Sequence, residues 1–260
     1  MKNIEREDRL ATLKITLASL ENSTRPATYR HTQNSAAFSS VWIQGALHDL
    51  YAETPADAVA INAFGLGAAH QAAEGRIIVW GLHEMMGLEA GRPHGPGLHE
   101  MGLSPSDVVL VRASDIQTLL VIGEEALRTS AVGAVLLSAW GDARAFSLTA
   151  SRRLALAAET GGRTLFMARV GAKPGPSGAE TRWSVRAAVS RPLECGAPGR
   201  PSFSVTLLRK RCGGEPRTWT LEWDREAKFF RELASLSGDV VPLAAQRPAE
   251  AWDTSGRRVA

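Results

Sequence analysis

The stretch VGAVLLSAWGDARAFSLTASRRLALAAETGGRTLFM, residues 132–167, decides the fold. Its ends are short apolar runs, Val132–Leu137 and Thr164–Met167, without the polar alternation of a half-solvated strand. Continuous apolarity over so few residues is the mark of a strand buried on both faces. Between the runs lies a helix-length segment that Thr149 can cap and that carries Arg152 and Arg153. Gly161 and Gly162 end it as glycine ends a helix, by accepting the left-handed conformation. Strand, helix and strand in this order imply a parallel sheet with helices against its faces.

Working upstream, the same unit recurs. Ile77–Trp80 and Val108–Val111 are further buried-strand runs, and Ala56–Ala73 is an Ala-rich helix. Ser114 opens another helix, with Gln117 as its capping-box partner, that continues to about Arg128. Val41–Tyr51 reads as a strand-turn-strand unit. Downstream the period changes to two. Trp183 and Val185, then Phe203, Val205 and Leu207, then Trp219, Leu221 and Trp223 alternate with polar residues. These are strands with one buried face, joined antiparallel through the Cys212–Arg217 turn. The expected fold is α/β, with a mixed, mainly parallel sheet flanked by helices and antiparallel strands at its C-terminal edge.

The flanks differ from this core. Leu10, Leu13, Leu17 and Leu20 recur at three- and four-residue steps, a narrow apolar seam on a helix among charged residues. Such a seam either docks on its own domain or serves as a handle for another subunit. A polar linker follows, so residues 1–40 form an N-terminal helix and linker and residues 41–236 the α/β domain. Residues 237–260 are rich in Ala, Pro and Arg without periodicity, and are expected to be a mobile tail with Trp252 as an isolated aromatic anchor.

Composition narrows the function classes. The 260 residues suit one large domain with short extensions. Lys and Arg number 30 against 27 Asp and Glu, so any nucleic-acid contact must come from local clusters. Two such clusters exist, Arg152 with Arg153, and Arg209, Lys210 and Arg211 before a Gly-Gly turn. Short charge runs are usually solvated surface, although a strand end is a common place for function. Two cysteines without metal-site spacing, a charged N-terminus and no long apolar run lead us to expect a cytosolic, cytoplasmic protein.

Chemical motifs are absent where an α/β nucleotide enzyme would carry them. The segment Ala52-Glu53-Thr54-Pro55-Ala56-Asp57-Ala58-Val59 after the first strand has no glycine, no Lys and no metal-holding Ser or Thr at its end. The strand Val132–Leu137 runs into Ser138 where a metal-holding acid would stand. Gly-Leu-His-Glu-Met occurs twice, at Gly81–Met85 and Gly97–Met101, with His94 between. No fixed metal-ligand spacing results, so a surface loop is the default reading of residues 81–101. No catalytic, cofactor-binding or metal-ligating residue is assigned.

Several strings nonetheless form a pattern. LTASRRLALAAE (148–159), AETRWSV (179–185), LLRKRCGGEPRTWTLEWD (207–224), GALHDLYAETPADA (45–58) and GLSPSDVVLVRA (102–113) together resemble the ImuA family of bacteria. That family is similar to the recombinase RecA and, more distantly, to the cell-division inhibitor SulA. The resemblance implies a RecA-like core with a degenerate phosphate loop, replaced here by Ala52–Val59. It implies a DNA-binding loop shortened to Val170–Gly178, and a basic pair, Arg209 and Arg211, matching one that in RecA reaches across a filament interface. It implies a non-catalytic accessory role in the SOS response and translesion synthesis. The partners would be ImuB, an inactive Y-family polymerase homologue, an error-prone DnaE-type polymerase reached through it, and RecA itself. Candidate partner-binding residues are Leu10, Leu13, Leu17, Leu20, Arg152, Arg153, Arg209, Arg211 and Trp252. Direct DNA contact stays open. Two alternatives stand beside this reading: a SulA-like inhibitor of a cell-division GTPase, and a nucleotide hydrolase with an unrecognised site.

Overall fold

The computed structural model describes Phe38, residues 42–211, Gly213 and residues 215–233. The leucine seam and Trp252 lie outside the described residues. In chain order, β1 (Leu47–Ala52) leads into α1 (Ala58–Ala73), and β2 (Ile77–His83) into the short helices α2 (Glu84–Glu89) and α3 (Gly95–Glu100). Then follow β3 (Val108–Ala113), α4 (Ile116–Arg128), β4 (Val132–Trp140), α5 (Leu148–Gly161) and β5 (Thr164–Val170). The chain continues as β6 (Thr181–Ala187), β7 (Ser202–Lys210), β8 (Arg217–Asp224) and β9 (Phe229–Glu232). Among the described residues these strands form one sheet, ordered β3-β2-β4-β5-β1-β6-β7-β8-β9. Pairing is parallel from β3 to β6 and antiparallel from β6 to β9, a RecA-like arrangement and the mixed sheet expected from the sequence.

The two faces bury different cores. On one face α1 covers the sheet, and Leu50, Phe166, Trp183, Phe203, Trp219 and Trp223 join Ile61 and Phe64 of the helix. On the other, α4 and α5 bring Leu119, Ile122, Leu127 and Leu154 against Val79, Val135, Leu137 and Leu165. Alternate residues of one strand thus serve opposite cores, which is why β4 reads as continuously apolar.

Several boundaries differ from the sequence reading, each for a local reason. Among the described residues there is one strand, not two, before the turn at Glu53, because Trp42 turns into the aromatic core against Phe38 and Trp183 instead of pairing. The Ala-rich helix starts at Ala58, after a 3-10 turn over Pro55–Asp57. Asp115 rather than Ser114 caps α4, its carboxylate accepting from the Thr118 amide at 2.8 Å. Ser147 rather than Thr149 caps α5, accepting from the Ala150 amide, while Gly162 closes that helix at φ +65° as expected. β9 was missed, its apolar pair Phe229–Phe230 being too short to show a period.

The largest correction concerns residues 81–101. Their first part is not a surface loop: β2 runs on through His83 and Met86 is buried, whereas residues 88–101 are exposed or half-buried, on the end of α2, α3 and their connection. The segment crosses toward the antiparallel strands, where the Trp223 indole N–H donates to the Met101 carbonyl at 2.9 Å. Gly102 makes this crossing possible. Its φ is +76°, and a Cβ there would lie 2.0 Å from the Arg225 carbonyl oxygen. Gly91 has a similar φ of +85° but open space around it.

A buried histidine adds a pH dependence. His48 is fully buried against Phe166. Its Nε2–H donates to the Ile43 carbonyl at 3.0 Å, which leaves Nδ1 to accept from the Thr181 hydroxyl at 2.7 Å. Burial is the main influence and pushes its pKa from 6.5 down to about 4, against the pull of the Ile43 carbonyl. The unfolded chain therefore binds the proton first as pH falls, so stability drops between those two values.

Two outcomes are expected in denaturant titrations. Gly102→Ala costs about 3 kcal/mol, from overpacking plus left-handed strain, whereas Gly91→Ala costs about 1 kcal/mol from strain alone. Between pH 7 and pH 4.5, His48 removes about 2–3 kcal/mol of unfolding free energy. A His48→Gln variant should lose that share of the pH dependence; an unchanged difference between the two pH values would refute the assignment.

Candidate functional site

In open α/β sheets, ligands gather outside the carboxyl ends of the parallel strands, where the chain direction switches. Here that position is the connection from β1 to α1. Its backbone donors are already used. The Asp57 carboxylate accepts from the Thr54 amide at 3.0 Å, the Thr54 hydroxyl at 2.7 Å and the Ala187 amide at 2.9 Å. A helix start is a natural anion seat, and here the Asp57 carboxylate stands beside it, turned back to Thr54 and across to Ala187 rather than onto the first amides of α1. Beside it Glu53 pairs with Arg186 at 3.4 Å, and the Glu53 amide is spent on the Val185 carbonyl. A phosphate approaching this corner meets two carboxylates and no open amide cradle.

The end of β4 is closed in the same way. Ser138 is fully buried, accepts from the Trp80 indole N–H at 2.9 Å and donates to Asn62 Oδ1 at 2.6 Å. Asn62 in turn donates to the Ala58 carbonyl at 2.9 Å. This neutral relay ties β2, β4 and α1 together and presents no anion to a cation. Among the described residues, no three His, Cys, Asp or Glu side chains converge as metal ligands, those of residues 81–101 included.

On the opposite face a second polar constellation is built. Asp49 of β1 is only 3% exposed and faces away from the aromatic core. It accepts from the Ser177 hydroxyl at 2.5 Å and lies 3.8 Å from Arg182. Arg182 also donates to the Gly175 carbonyl and to Ser177. Next to it, buried Arg169 donates to the Tyr51 hydroxyl at 3.1 Å and pairs with Asp142 at 3.0 Å, its guanidinium 4.4 Å over the Phe146 ring. Burial, the largest influence, pushes the Asp49 carboxyl above its ordinary range, while Ser177, Arg182, Arg169 and Arg209 pull it back. The network fastens two connections onto the sheet: residues 141–147, after β4, and residues 171–180, after β5.

The second connection joins the two basic clusters. Gly178 lies against the backbone of Arg152, at 3.0 Å from a hypothetical Cβ to the Arg152 Cα. One residue on, the Ala179 carbonyl accepts from the Arg209 guanidinium at 2.8 Å, and the Glu180 carbonyl accepts from the Arg211 amide at 2.8 Å. Arg152, Arg209 and Arg211 are all exposed. Arg153 points elsewhere, pairing with Glu124 on α4 at 2.7 Å. The sequence reading therefore named residues of one surface without seeing that they adjoin. It missed the support beneath them, Asp49, Arg169, Arg182 and Ser177. The available signal was a charge inside an otherwise apolar strand run, at Asp49 and again at Arg169.

Two substitutions measure these sites. Asp49→Ala removes the carboxylate that faces Arg182 and should cost about 3 kcal/mol in urea titration. Asp57→Ala should cost about 1 kcal/mol by freeing the donors it caps, without creating affinity for ATP by calorimetry, because no cation follows. Micromolar binding by either the native chain or the Asp57→Ala variant contradicts this description of the corner.

No family model matches the chain. Over 139 residues it is 36% identical to Protein ImuA of Caulobacter vibrioides strain NA1000 / CB15N, a match covering 49% of this chain and 54% of the relative. Protein ImuA of Caulobacter vibrioides strain ATCC 19089 / CIP 103742 / CB 15 matches to the same extent. The chain thus spans about half the length of the curated relatives it matches. Over those 139 residues the chain is thus similar to Protein ImuA, and its sheet has a RecA-like order.

Proposed function

We propose that the chain is a non-catalytic accessory protein of DNA-damage-induced mutagenesis, acting by protein contact within the SOS response and translesion synthesis. The observation that carries this reading is the β1–α1 corner, where Glu53 and Asp57 stand in place of a phosphate loop and Asp57 is bonded to Thr54 and Ala187. A RecA-like sheet with two carboxylates at this corner keeps its scaffold and gives up nucleotide chemistry. What it offers instead is a rigid connection, residues 171–180, displaying Arg152, Arg209 and Arg211. A surface held in place before binding loses little conformational entropy on association, which suits a docking module.

The partners of this reading are an ImuB-type inactive Y-family polymerase, an error-prone DnaE-type polymerase through it, and RecA. For RecA the geometry favours docking at one filament end. Arg209 is tied to Ala179, so Arg211 is the guanidinium that would reach a neighbour's phosphates. The occupied corner at Asp57 would offer the next subunit no nucleotide, and a one-sided subunit terminates a head-to-tail assembly.

Affinity purification from damaged cells tests the reading. Polymerase-related proteins should co-purify with the native chain and drop at least fivefold with Arg152→Glu/Arg211→Glu, while the melting temperature stays unchanged. Recovery of a tubulin-like GTPase in their place would favour the SulA-like inhibitor instead.

A further inference from the structure

A second feature lies on the other face, at the cleft between α1 and α3. Val59, Ala63 and Leu66 stand at i, i+4 and i+7 along α1 and form one wall. Leu98 and Met101 form the other, and Trp80 lies in the floor, enclosing about 200 Å³. Val59 is 65% exposed, and Leu88, on the helix leading into the cleft, is 68% exposed. A small residue between two larger ones makes a trough of the kind into which side chains of another helix pack. Asn62, Arg92 and His94 also line the cleft, and the Trp80 N–H in its floor is already bonded to Ser138.

We propose that this cleft is the seat of the chain's own N-terminal seam, Leu10, Leu13, Leu17 and Leu20. The seam's spacing presents four leucines along one helical stripe about 15 Å long, against about 10.5 Å from Val59 to Leu66, so that one or two of the leucines enter the cleft and the others lie along its rim. Reach favours the chain's own seam over one from another molecule. Phe38, where the described residues begin, packs on Phe64 of α1 with ring centroids 6.2 Å apart. From Phe64 to Val59 is about 7.5 Å along the helix axis, at 1.5 Å per residue. The polar residues between Leu20 and Phe38 can extend to about 60 Å, and as a coil span about 24 Å. So short a tether gives an effective concentration on the order of millimolar, well above that of a free second copy. A helix this short is marginal alone, so docking and helix formation occur together. The proposal is independent of the function proposed above. It concerns which surface the seam covers, and any partner that uses the seam must first displace it.

Hydrogen exchange on the full-length chain tests it, read at residues 10–20 and at α3. In the native chain both are protected, to the same degree at every protein concentration. Leu13→Asp/Leu17→Asp should speed exchange at α3 at least tenfold. Val59→Asp, at an exposed position the fold tolerates, should do the same at residues 10–20. Equal exchange in native and substituted chains overturns the proposal. Protection that grows with protein concentration also overturns it, by assigning the seam to a second copy.

Discussion

The position of β1 between β5 and β6 is the constraint from which the other features follow. A strand in the middle of a sheet must send alternate side chains to two faces, and here the faces make opposite demands. His48 and Leu50 enter the aromatic core beneath α1, where a neutral imidazole is held between Ile43 and Thr181. Asp49 and Tyr51 enter the side on which Arg169 is buried and Arg182 half-buried. A charged group is tolerated at 3% exposure because Ser177 and two guanidinium groups meet it there. Removing either environment would leave β1 with an unpaired polar group in a dry interior, a cost comparable to a large part of a domain's net stability.

This division also explains how the two ends of β1 relate. At its carboxyl end the chain turns into α1 through Thr54 and Asp57, and the carboxylate that satisfies the turn is also the group that excludes an anion. One residue thus completes the local backbone and closes the ligand position. The Ala187 amide, at the end of β6, donates to the same carboxylate, so the closure is braced from the neighbouring strand. A loop awaiting phosphate would leave these donors to solvent. Here the chain's own carboxylate satisfies them.

Much of the architecture was legible in the sequence because burial on one face or two writes different periods. The runs at Val132–Leu137 and Thr164–Met167 are apolar throughout and lie inside the parallel half. Trp219, Leu221 and Trp223 alternate and lie in the antiparallel half. Residues 81–101 were illegible because their glycines, prolines and histidines have the composition of a loop. Their order comes from non-local contacts, at Met101 with Trp223 and at Gly102 with Arg225. The candidate surface was half legible. Each basic pair stood out as a charge run, but Arg152 and Arg209 are far apart in sequence and meet only through Gly178 and Ala179. No one-dimensional period encodes a crossing connection that has no regular structure of its own.

That connection, residues 171–180, is where rigidity and display are joined. A segment of this length without secondary structure is ordinarily the most mobile part of a sheet protein. Here Ser177 is held by Asp49, Gly175 by Arg182, Gly178 by the Ser151 hydroxyl and Ala179 by Arg209. Four consecutive attachments, from β1, β6, α5 and β7 in turn, draw on elements from both the parallel and the antiparallel parts of the sheet. The orientation of Arg152 relative to Arg211 is therefore fixed by the sheet itself rather than by the loop. A purely solvated basic surface would need no such fastening, because guanidinium groups in water are indifferent to one another's placement beyond a screening length. The buried charge network beneath the arginines is costly to form and gives nothing to solubility. Its physical effect is to hold the backbone beneath an exposed basic surface in one arrangement.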